Sequence, residues 1–395
     1  MIARADAVVI GGGIIGASVA HFLTKLGYGD VALIEQRRLA GGSTGYSSAH
    51  VRQHYTNEVA IRLAVRATAM FANAEEELGG DAGFVQDGYL VLASSDEAGA
   101  IRVIVPVQQE LGVDTEILGP DEVSERWPEL SVENVELACF EPASGYADPV
   151  RTVEALARSA ARDGLKIYEG CRVLGIETSN GGVSSVITGD GEIATDVVVN
   201  ATGPWGNSIG RMVGVEYPIT WSREHEAIFD APAGFRGVPV TSDSTQRFYF
   251  RSYGPGSVLV GPGWPKAPEP ADPETYDDGT DDEHIGEMVP KLVRRVPALA
   301  TLAGPNWGGA FVTGYSGVYD ITEDWYPIVG EEEVEGFYSA FGGSGHCFKL
   351  GPTIGESLAH VIAGSEPPVD ISGLSGSRFA EGRTFTSIWG AGNRA

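Results

Sequence analysis

Short apolar runs and a helix-like segment alternate at the start of the chain. Val8-Val9-Ile10 is apolar and β-branched throughout, which is typical of a strand buried on both faces of a parallel sheet. Residues 17–26 have the spacing of a helix that ends at Gly27 and Gly29, and residues 31–34 form a second apolar run. The pattern predicts a β-α-β unit.

Two later segments repeat the change from an apolar strand to a turn of small residues. Strands are predicted over 196–200 and 336–340, and a helix is predicted from about Pro352 to Ile362, with Gly364 as its cap. The second of these segments therefore predicts another glycine-rich turn between a strand and a helix.

The middle of the chain predicts a different kind of sheet. Residues 247–251 and 257–261 are expected to pair as strands around a turn at 253–256. The acidic, proline-rich segment 265–283 is predicted to be a surface loop, and a helix is expected near 285–296.

A G-x-G-x-x-G motif lies between the first strand and its helix. Gly11 permits the tight turn, Gly13 lets backbone amides approach a pyrophosphate, and Gly16 lets the helix pack against the strand. Glu35, at the end of the second strand, is placed to accept hydrogen bonds from a ribose diol. The combination predicts a dinucleotide-binding unit.

NAD and FAD share this motif, so the choice between them depends on the remaining chain. Small residues fill the loop 41–48, and a second glycine-rich turn lies at 342–345. An extended FAD needs more backbone and hydroxyl donors than NAD, and the dipole of the late helix suits negative charge on a reduced flavin ring. We therefore expect FAD, whereas a nicotinamide enzyme has no use for the late turn.

Taken in order, these motifs resemble the D-amino acid oxidase/sarcosine oxidase superfamily of flavoproteins, which includes glycine oxidase. The resemblance rests on the first motif, on 145–149, on 201–205, on 327–330 and above all on 343–349. The similarity is greatest to monomeric sarcosine oxidase and to the beta subunit of the heterotetrameric enzyme, and it spans nearly the whole chain.

The resemblance implies an α/β fold, α+β overall. A Rossmann-like FAD-binding domain is interleaved with a substrate domain built on a mixed, largely antiparallel sheet. The expected FAD domain comprises 1–80, 148–215 and 320–380. The expected substrate domain comprises 81–147 and 216–319, with a C-terminal tail at 381–395.

The motifs and the resemblance together imply a set of residues that contact FAD. They are Gly11, Gly13, Ile14, Ile15, Gly16, Glu35, Gln36, Gly42, Ser43, Thr44, Ser47, Ser48, Val173, Ala201, Thr202, Gly203, Trp205, Gly342, Gly343, Ser344, Gly345, His346, Phe348 and Lys349. Trp205 is expected to act mainly by packing.

The resemblance also implies the chemistry, which is hydride transfer from a carbon next to nitrogen to flavin N5, followed by hydrolysis of the imine. Arg52 and Lys349 match residues that bind the substrate carboxylate, although surface positions are the alternative for both. Tyr249 and Tyr319 match pocket tyrosines or are core aromatics, and His346 belongs to a motif near the flavin. His50 and His54 are weaker candidates, for which packing or surface roles are the alternative.

Several positions depart from the family pattern. Gly317 stands where monomeric sarcosine oxidase has its flavin-linking cysteine, and Tyr46 stands near the linking histidine of dimethylglycine dehydrogenase. We therefore expect non-covalent FAD.

Two further departures concern the candidate substrate pocket. Leu259 stands where the oxidase has a lysine that speeds reaction with oxygen, and Gly263 replaces a pocket histidine. These changes favour a dehydrogenase with a less polar pocket, unless Lys266 supplies the missing charge.

Composition narrows the function classes. The chain of 395 residues is 43% hydrophobic and has a net charge of −27, which excludes disorder and disfavours nucleic acid and anionic membranes. Cys139, Cys171 and Cys347 fit no metal motif, and Cys347 is expected to be a small buried filler. No apolar run is long enough for a membrane span, and no signal peptide is recognised, so a cytoplasmic enzyme is expected.

The leading hypothesis is an oxidase or dehydrogenase of secondary or tertiary amines such as N-alkyl amino acids. Its expected partners are a small amine and either O2 or another electron acceptor. A primary amino acid or 2-hydroxyacid dehydrogenase of the same superfamily is one alternative. A flavin-bearing subunit of a larger complex, with a partner subunit, is another.

Overall fold

The computed structural model describes residues 2–233, 235, 237–254, 256–263 and 267–386. Its strands are β1 (Ala7–Ile10), β2 (Val31–Ile34), β3 (His50–Val51), β4 (Tyr89–Ala93), β5 (Glu116–Leu118), β6 (Leu137–Glu141), β7 (Gly145–Tyr146), β8 (Lys166–Tyr168), β9 (Val173–Ser179), β10 (Gly182–Thr188), β11 (Gly191–Ala194), β12 (Val198–Asn200), β13 (Thr220–Asp230), β14 (Val240–Asp243), β15 (Phe248–Ser252), β16 (Ser257–Pro262), β17 (Phe311–Ile321), β18 (Ile328–Glu331) and β19 (Phe337–Phe341).

The helices follow the same chain order. They are α1 (Ile14–Lys25), α2 (Glu58–Ala72), α3 (Ala74–Glu77), α4 (Ser95–Glu110), α5 (Pro120–Arg126), α6 (Pro149–Arg162), α7 (Gly206–Gly210), α8 (Asp282–Arg295), α9 (Cys347–Ile362) and α10 (Ser377–Ala380). No helix in these described ranges is long and apolar enough to cross a membrane.

The apolar runs at the start of the chain form the centre of a largely parallel sheet. Its strand order is β18-β19-β12-β1-β2-β8, and β18 alone among these runs antiparallel to its neighbour. Every residue of β1 and β2 is buried, because α1, α6 and α9 cover one face and a small antiparallel sheet of β9, β10 and β11 covers the other. Burial on both faces explains why these strands are apolar throughout.

A second, mixed sheet has the strand order β17-β13-β16-β15-β14-β4-β6-β5. All its neighbouring strands are antiparallel except β4 and β14, which confirms the expected fold class. Side chains alternate along β15. Phe248 and Phe250 pack with Met288 of α8 in an apolar cluster, so Tyr249 and Arg251 lie on the opposite face of the sheet.

The predicted pairing of the two strands is confirmed, and its register matters for the site; Pro255 of the predicted turn lies outside the described residues. Tyr249 is paired with Gly261, and Arg251 is paired with Leu259 across β15 and β16. Lys266, the alternative cation, lies outside the described residues.

The chain passes repeatedly between the two large sheets. The parallel sheet takes strands from 7–34, 166–168, 198–200 and 328–341, whereas the mixed sheet takes strands from 89–141 and 220–321. The domain boundaries themselves stay a prediction, and residues 387–395 of the expected tail lie outside the described residues.

The predicted start of the late helix is wrong. α9 begins at Cys347 and not at Pro352, which lies inside the helix. Proline is common in the first turn of a helix, and the prediction therefore placed the start of this helix at Pro352. Packing overrides it, because α9 lies directly on α1: a Cβ on Gly351 would come within 2.8 Å of Ile14 Cγ1, and one on Gly355 within 2.3 Å of Ser18 Cβ.

Candidate active site

The first glycine motif forms a tight turn between β1 and α1. Gly11 has a φ of +107°, and a Cβ there would lie 2.5 Å from the carbonyl oxygen of Ala201 in the neighbouring strand segment. A Cβ on Gly16 would lie only 1.9 Å from the carbonyl oxygen of Gly11. These contacts let α1 start directly behind the strand, with its N-terminus facing a cavity that Gly13 and Ile14 line.

Glu35 also lines this cavity, at the carboxyl end of β2. Its Oε2 accepts a hydrogen bond from the Gly12 amide at 2.7 Å, and its Oε1 accepts one from the Arg37 amide at 2.7 Å. The two amides fix the carboxylate beside the glycine turn. Carboxylate oxygens have lone pairs to spare for a diol.

The loop of small residues at 41–48 lies beside the N-terminus of α1. Thr44 Oγ1 accepts a hydrogen bond from the Ile14 amide at 3.1 Å, and Ser43 Oγ donates to the carbonyl of Val318 at 2.6 Å. The loop thereby joins the first glycine motif to β17 of the mixed sheet.

The late glycine-rich turn reaches the same cavity from the opposite end. Asp320 accepts a hydrogen bond from the Gly342 amide at 2.7 Å, and Gly343, Gly345 and Cys347 line the cavity at the start of α9. Burial raises the pKa of Asp320 to about 6. Because residues at the starts of both α1 and α9 line the cavity, two helix N-termini face it, an arrangement that suits an extended anionic cofactor.

Most of the expected FAD residues line the cavity. They are Gly11, Gly13, Ile14, Ile15, Glu35, Gln36, Gly42, Ser43, Thr44, Ser47, Val173, Ala201, Thr202, Gly203, Trp205, Gly343, Gly345 and Phe348, and Tyr319 joins them. The remaining expected residues do not line it; they are Gly16, Ser48, Gly342, Ser344, His346 and Lys349.

Sequence reasoning missed other lining residues. They are Ile10, Ile34, Arg37, Cys171, Arg172, Pro204, Ser208, Ile209, Met212, Val318, Asp320, Phe341 and Cys347. Ile10, Ile34 and Phe341 end strands of the parallel sheet, and ligands bind beyond the carboxyl ends of such strands, so that rule could have found them. Cys347 is partly exposed to the cavity, which corrects its expected role as a buried filler.

Arg52 and the start of α9 meet beside this cavity. The Arg52 side chain is 9% exposed, its guanidinium lies 4.3 Å from the centre of the Tyr55 ring, and its Nη1 donates to the carbonyl of His54. The Tyr55 hydroxyl lies 3.3 Å from Nδ1 of His346, and Lys349 Nζ donates to the His346 carbonyl at 3.4 Å. Three of the predicted catalytic residues are thus brought together through Tyr55.

Tyr249 belongs to the facing sheet. Its hydroxyl donates to Glu226 Oε1 at 2.5 Å, and burial raises its pKa. Its ring packs edge-to-face on His50, with 4.8 Å between ring centres. His50 therefore connects Tyr249 with Arg52, whose charge acts on the His50 ring. Tyr319 lies elsewhere, against Gly345 in the wall of the cavity.

His50 lies at the centre of this group of side chains. It is 8% exposed, and burial together with the charges of Arg251, Lys349 and Arg52 holds its pKa well below the ordinary value. Its Nε2 has no hydrogen-bond partner among the described residues. Sequence reasoning ranked His50 low and missed Arg251, although the alternation along β15 placed Arg251 on the face of Tyr249.

His54 has a different environment from His50. Its Nδ1 lies 3.2 Å from Gln108 Nε2 and 3.6 Å from the Cys139 sulfur, in the supporting layer behind Arg52. Burial lowers the pKa of His54 to about 3, so it packs as a neutral ring.

Two departures from the family pattern have a steric basis. A Cβ on Gly317 would lie 2.8 Å from Tyr46 Cβ, and one on Gly263 would lie 2.6 Å from the Phe248 amide nitrogen. Neither position has room for a larger side chain in this structure. Leu259 is fully buried in β16.

Known proteins are similar to this chain over nearly its whole length. The model of the family described as "FAD dependent oxidoreductase" matches residues 6–361. Mitochondrial sarcosine dehydrogenase of Mus musculus is 27% identical and mitochondrial dimethylglycine dehydrogenase of Rattus norvegicus is 25% identical, over 98% and 96% of this chain. The chain spans only 42% and 45% of those two relatives.

Solved structures show the same fold. L-proline dehydrogenase from P. horikoshii superposes with a TM-score of 0.88 at 30% identity, covering 97% of this chain and 99% of that one. Glycine oxidase from Bacillus cereus gives 0.77 at 26% identity, with 91% and 95% covered. The glycine turns, the two helix N-termini and the carboxylate of Glu35 fit FAD. The resemblance noted from the motifs is confirmed, and the chain belongs to the FAD-dependent oxidoreductase family.

Proposed function

We propose that this protein oxidises the C–N bond of an amino acid with a secondary or tertiary amine, such as an N-alkyl amino acid. Bound FAD supplies the hydride acceptor, flavin N5, and the imine product hydrolyses in water. The observation that carries the proposal is that two buried cations, Arg52 and Lys349, are linked through Tyr55 and the start of α9.

Arg52 is suited to hold the substrate carboxylate. Among the described residues, no carboxylate lies within ion-pair distance of its guanidinium. Glu141, whose charge acts on Arg52, instead accepts hydrogen bonds from the Gln53 amide and the Ser144 hydroxyl, and burial raises its pKa to about 7. A planar guanidinium binds a carboxylate through two parallel hydrogen bonds, and the point charge of Lys349 adds a second contact.

The same charges favour the reactive form of the amine. Hydride leaves a carbon next to a neutral nitrogen, and nearby cations disfavour a protonated amine. His50 stays neutral among Arg52, Lys349 and Arg251, so it adds no further positive charge, and its Nε2 can accept a hydrogen bond from the substrate amine.

The names of similar proteins support an N-substituted substrate. Sarcosine and dimethylglycine are N-methylated glycines and proline is a cyclic secondary amine, and dehydrogenases named for all three are similar to this chain. Glycine oxidase, named for a primary amine, is also similar, so the substrate class needs a direct test.

Anaerobic bleaching of the yellow holoenzyme tests the proposal. We expect N-methylglycine, N,N-dimethylglycine or proline, or their larger homologues, to bleach the flavin faster than glycine, alanine or lactate. Bleaching by primary amino acids or 2-hydroxyacids alone would overturn the substrate class.

Admitting air to the bleached enzyme then tests the electron acceptor. Because an apolar side chain, Leu259, stands where the oxidase has a lysine, we propose an acceptor other than oxygen. The oxidised spectrum should return slowly in air and quickly with an added dye acceptor. Equally fast return in air without the dye would show an oxidase.

We further propose that FAD is held without a covalent bond. Gly317 has no thiol and no room for one, and burial raises the pKa of the Cys347 thiol, which disfavours the reactive thiolate. After acid precipitation and centrifugation, the yellow colour should stay in the supernatant. A yellow pellet would contradict this, and a Cys347→Ser variant would then show whether Cys347 is the attachment point.

A further inference from the structure

We propose that Arg251 forms a second anion subsite of the candidate active site, so that the preferred substrate is an amino acid with a second carboxylate. The second carboxylate would stand on the N-substituent or the side chain. This inference deepens the proposed function and rests on it.

Arg251 is a buried charge that lacks a close counterion. Its side chain is 3% exposed, and among the described residues no carboxylate lies within ion-pair distance of it. Burial lowers its pKa, yet a guanidinium remains charged in proteins. A buried ion without a partner is costly, so a site of this kind is expected to receive an anionic group from elsewhere.

The hydrogen bonds of Arg251 hold the guanidinium in place and leave one nitrogen unused. Nε donates to the Ser48 carbonyl at 2.7 Å, and Nη1 donates to the Ser252 carbonyl at 2.8 Å. In the part of the chain that the structure describes, Nη2 has no protein acceptor. The guanidinium also lies 4.3 Å from the centre of the Tyr146 ring, within the range of a cation–π contact.

Arg251 lies between an exposed tyrosine and the candidate substrate site, which is formed by Arg52, Lys349 and His50. Arg251 shares the face of β15 with Tyr249, and its charge acts on His50, which packs against that tyrosine. On its other side the guanidinium lies 5.3 Å from the centre of the Tyr253 ring, and that side chain is 43% exposed. An anion at Arg251 would therefore lie on the outer side of His50.

Two acids act on the charge of Arg251 without forming an ion pair with it. The negative charge of Glu226 raises the pKa of Arg251 from a distance, while the Glu226 carboxylate accepts a hydrogen bond from the Tyr249 hydroxyl. Asp87 also acts from a distance, and burial raises its pKa to about 7, so it is partly protonated at neutral pH. The subsite therefore keeps a net positive character.

The arrangement defines a class of substrate. One carboxylate is held by Arg52 and Lys349, the amine lies near His50, and the second carboxylate reaches Arg251. A monocarboxylic N-methyl amino acid would fill the first part of this site and leave Arg251 without a partner.

Binding of redox-inert thioethers tests the subsite without turnover. (Methylthio)acetate and thiodiacetate replace the amine of N-methylglycine and of iminodiacetate by sulfur, and they differ in one carboxylate. Titrated into the oxidised holoenzyme and followed by flavin absorbance, thiodiacetate should bind at least about tenfold more tightly. Arg251→Met should remove that preference and change the affinity for (methylthio)acetate little, whereas Arg251→Lys should keep part of it.

Arg52→Met is the matched control, since it should weaken both ligands. FAD content and melting temperature of each variant establish that it is folded. Equal affinity of the wild-type enzyme for the two ligands, or a preference that survives Arg251→Met, would overturn the subsite. If the preference is found but no amine bleaches the flavin, the subsite stands and the proposed oxidation fails.

Discussion

Replacing Arg52 by methionine is expected to lower kcat/KM for N-alkyl amino acids by roughly 30-fold to several thousand-fold. Loss of one partner of a buried, hydrogen-bonded charge pair costs about 2–5 kcal/mol. Methionine keeps much of the apolar volume against Tyr55 but cannot bind a carboxylate. Flavin reduction under argon at varied substrate concentration measures the effect, which should fall mainly on binding.

Two controls separate carboxylate binding from general damage. Arg62→Met changes an exposed arginine of α2 that pairs with Glu58, and it should leave the kinetics unchanged. N-methylpropylamine has no carboxylate, so Arg52→Met should not slow its oxidation further. A similar loss for both amines would mean that Arg52 supports the structure and does not bind substrate.

Gly16→Ala is expected to abolish FAD binding. The new Cβ would lie 1.9 Å from the Gly11 carbonyl oxygen, so α1 would have to move away from β1 and the turn that faces the cavity would open. The neighbouring atom is backbone, which cannot rotate away as a side chain can. The purified variant should be colourless or lose its flavin on dialysis.

A graded series of substitutions makes this result specific. A Cβ on Gly13 would meet one protein atom, Thr44 Oγ1 at 3.1 Å, so Gly13→Ala should leave α1 in place and weaken FAD binding only by crowding the pyrophosphate. Gly99 lies in α4, where a Cβ would meet no atom within 4 Å, so Gly99→Ala should keep full flavin content. Flavin retained in Gly16→Ala at the level of Gly99→Ala would contradict the proposed cradle.

The cofactor half of the protein could be predicted well from local sequence. The first strand, helix and second strand depend on contacts within about thirty residues, and burial on both faces leaves a plain apolar pattern in the chain. The hairpin of β15 and β16 was equally local, and its pairing is as predicted.

The substrate half could not be predicted as well, because its residues meet only through tertiary packing. His50 follows the cofactor loop and Arg251 lies on β15, about 200 residues later. The local sequence of neither segment predicts that the two side chains lie close enough to interact. Tyr55, which joins Arg52 to His346, was not recognised for the same reason. The start of α9 was misjudged because its packing on α1 outweighs the local preference of Pro352.

The order of strands in the parallel sheet has a consequence for synthesis. β1 pairs with β12, and β12 pairs in turn with β19, so the central strands come from residues 7–10, 198–200 and 337–341. At ~5–20 residues per second, a ribosome needs roughly 15–70 s to pass from the first of these strands to the last. During that time the apolar face of β1 that α9 covers in the folded protein lacks this cover, so we expect provisional packing or a chaperone to shield it. FAD can be loaded into a complete cradle only after α9 has left the ribosome.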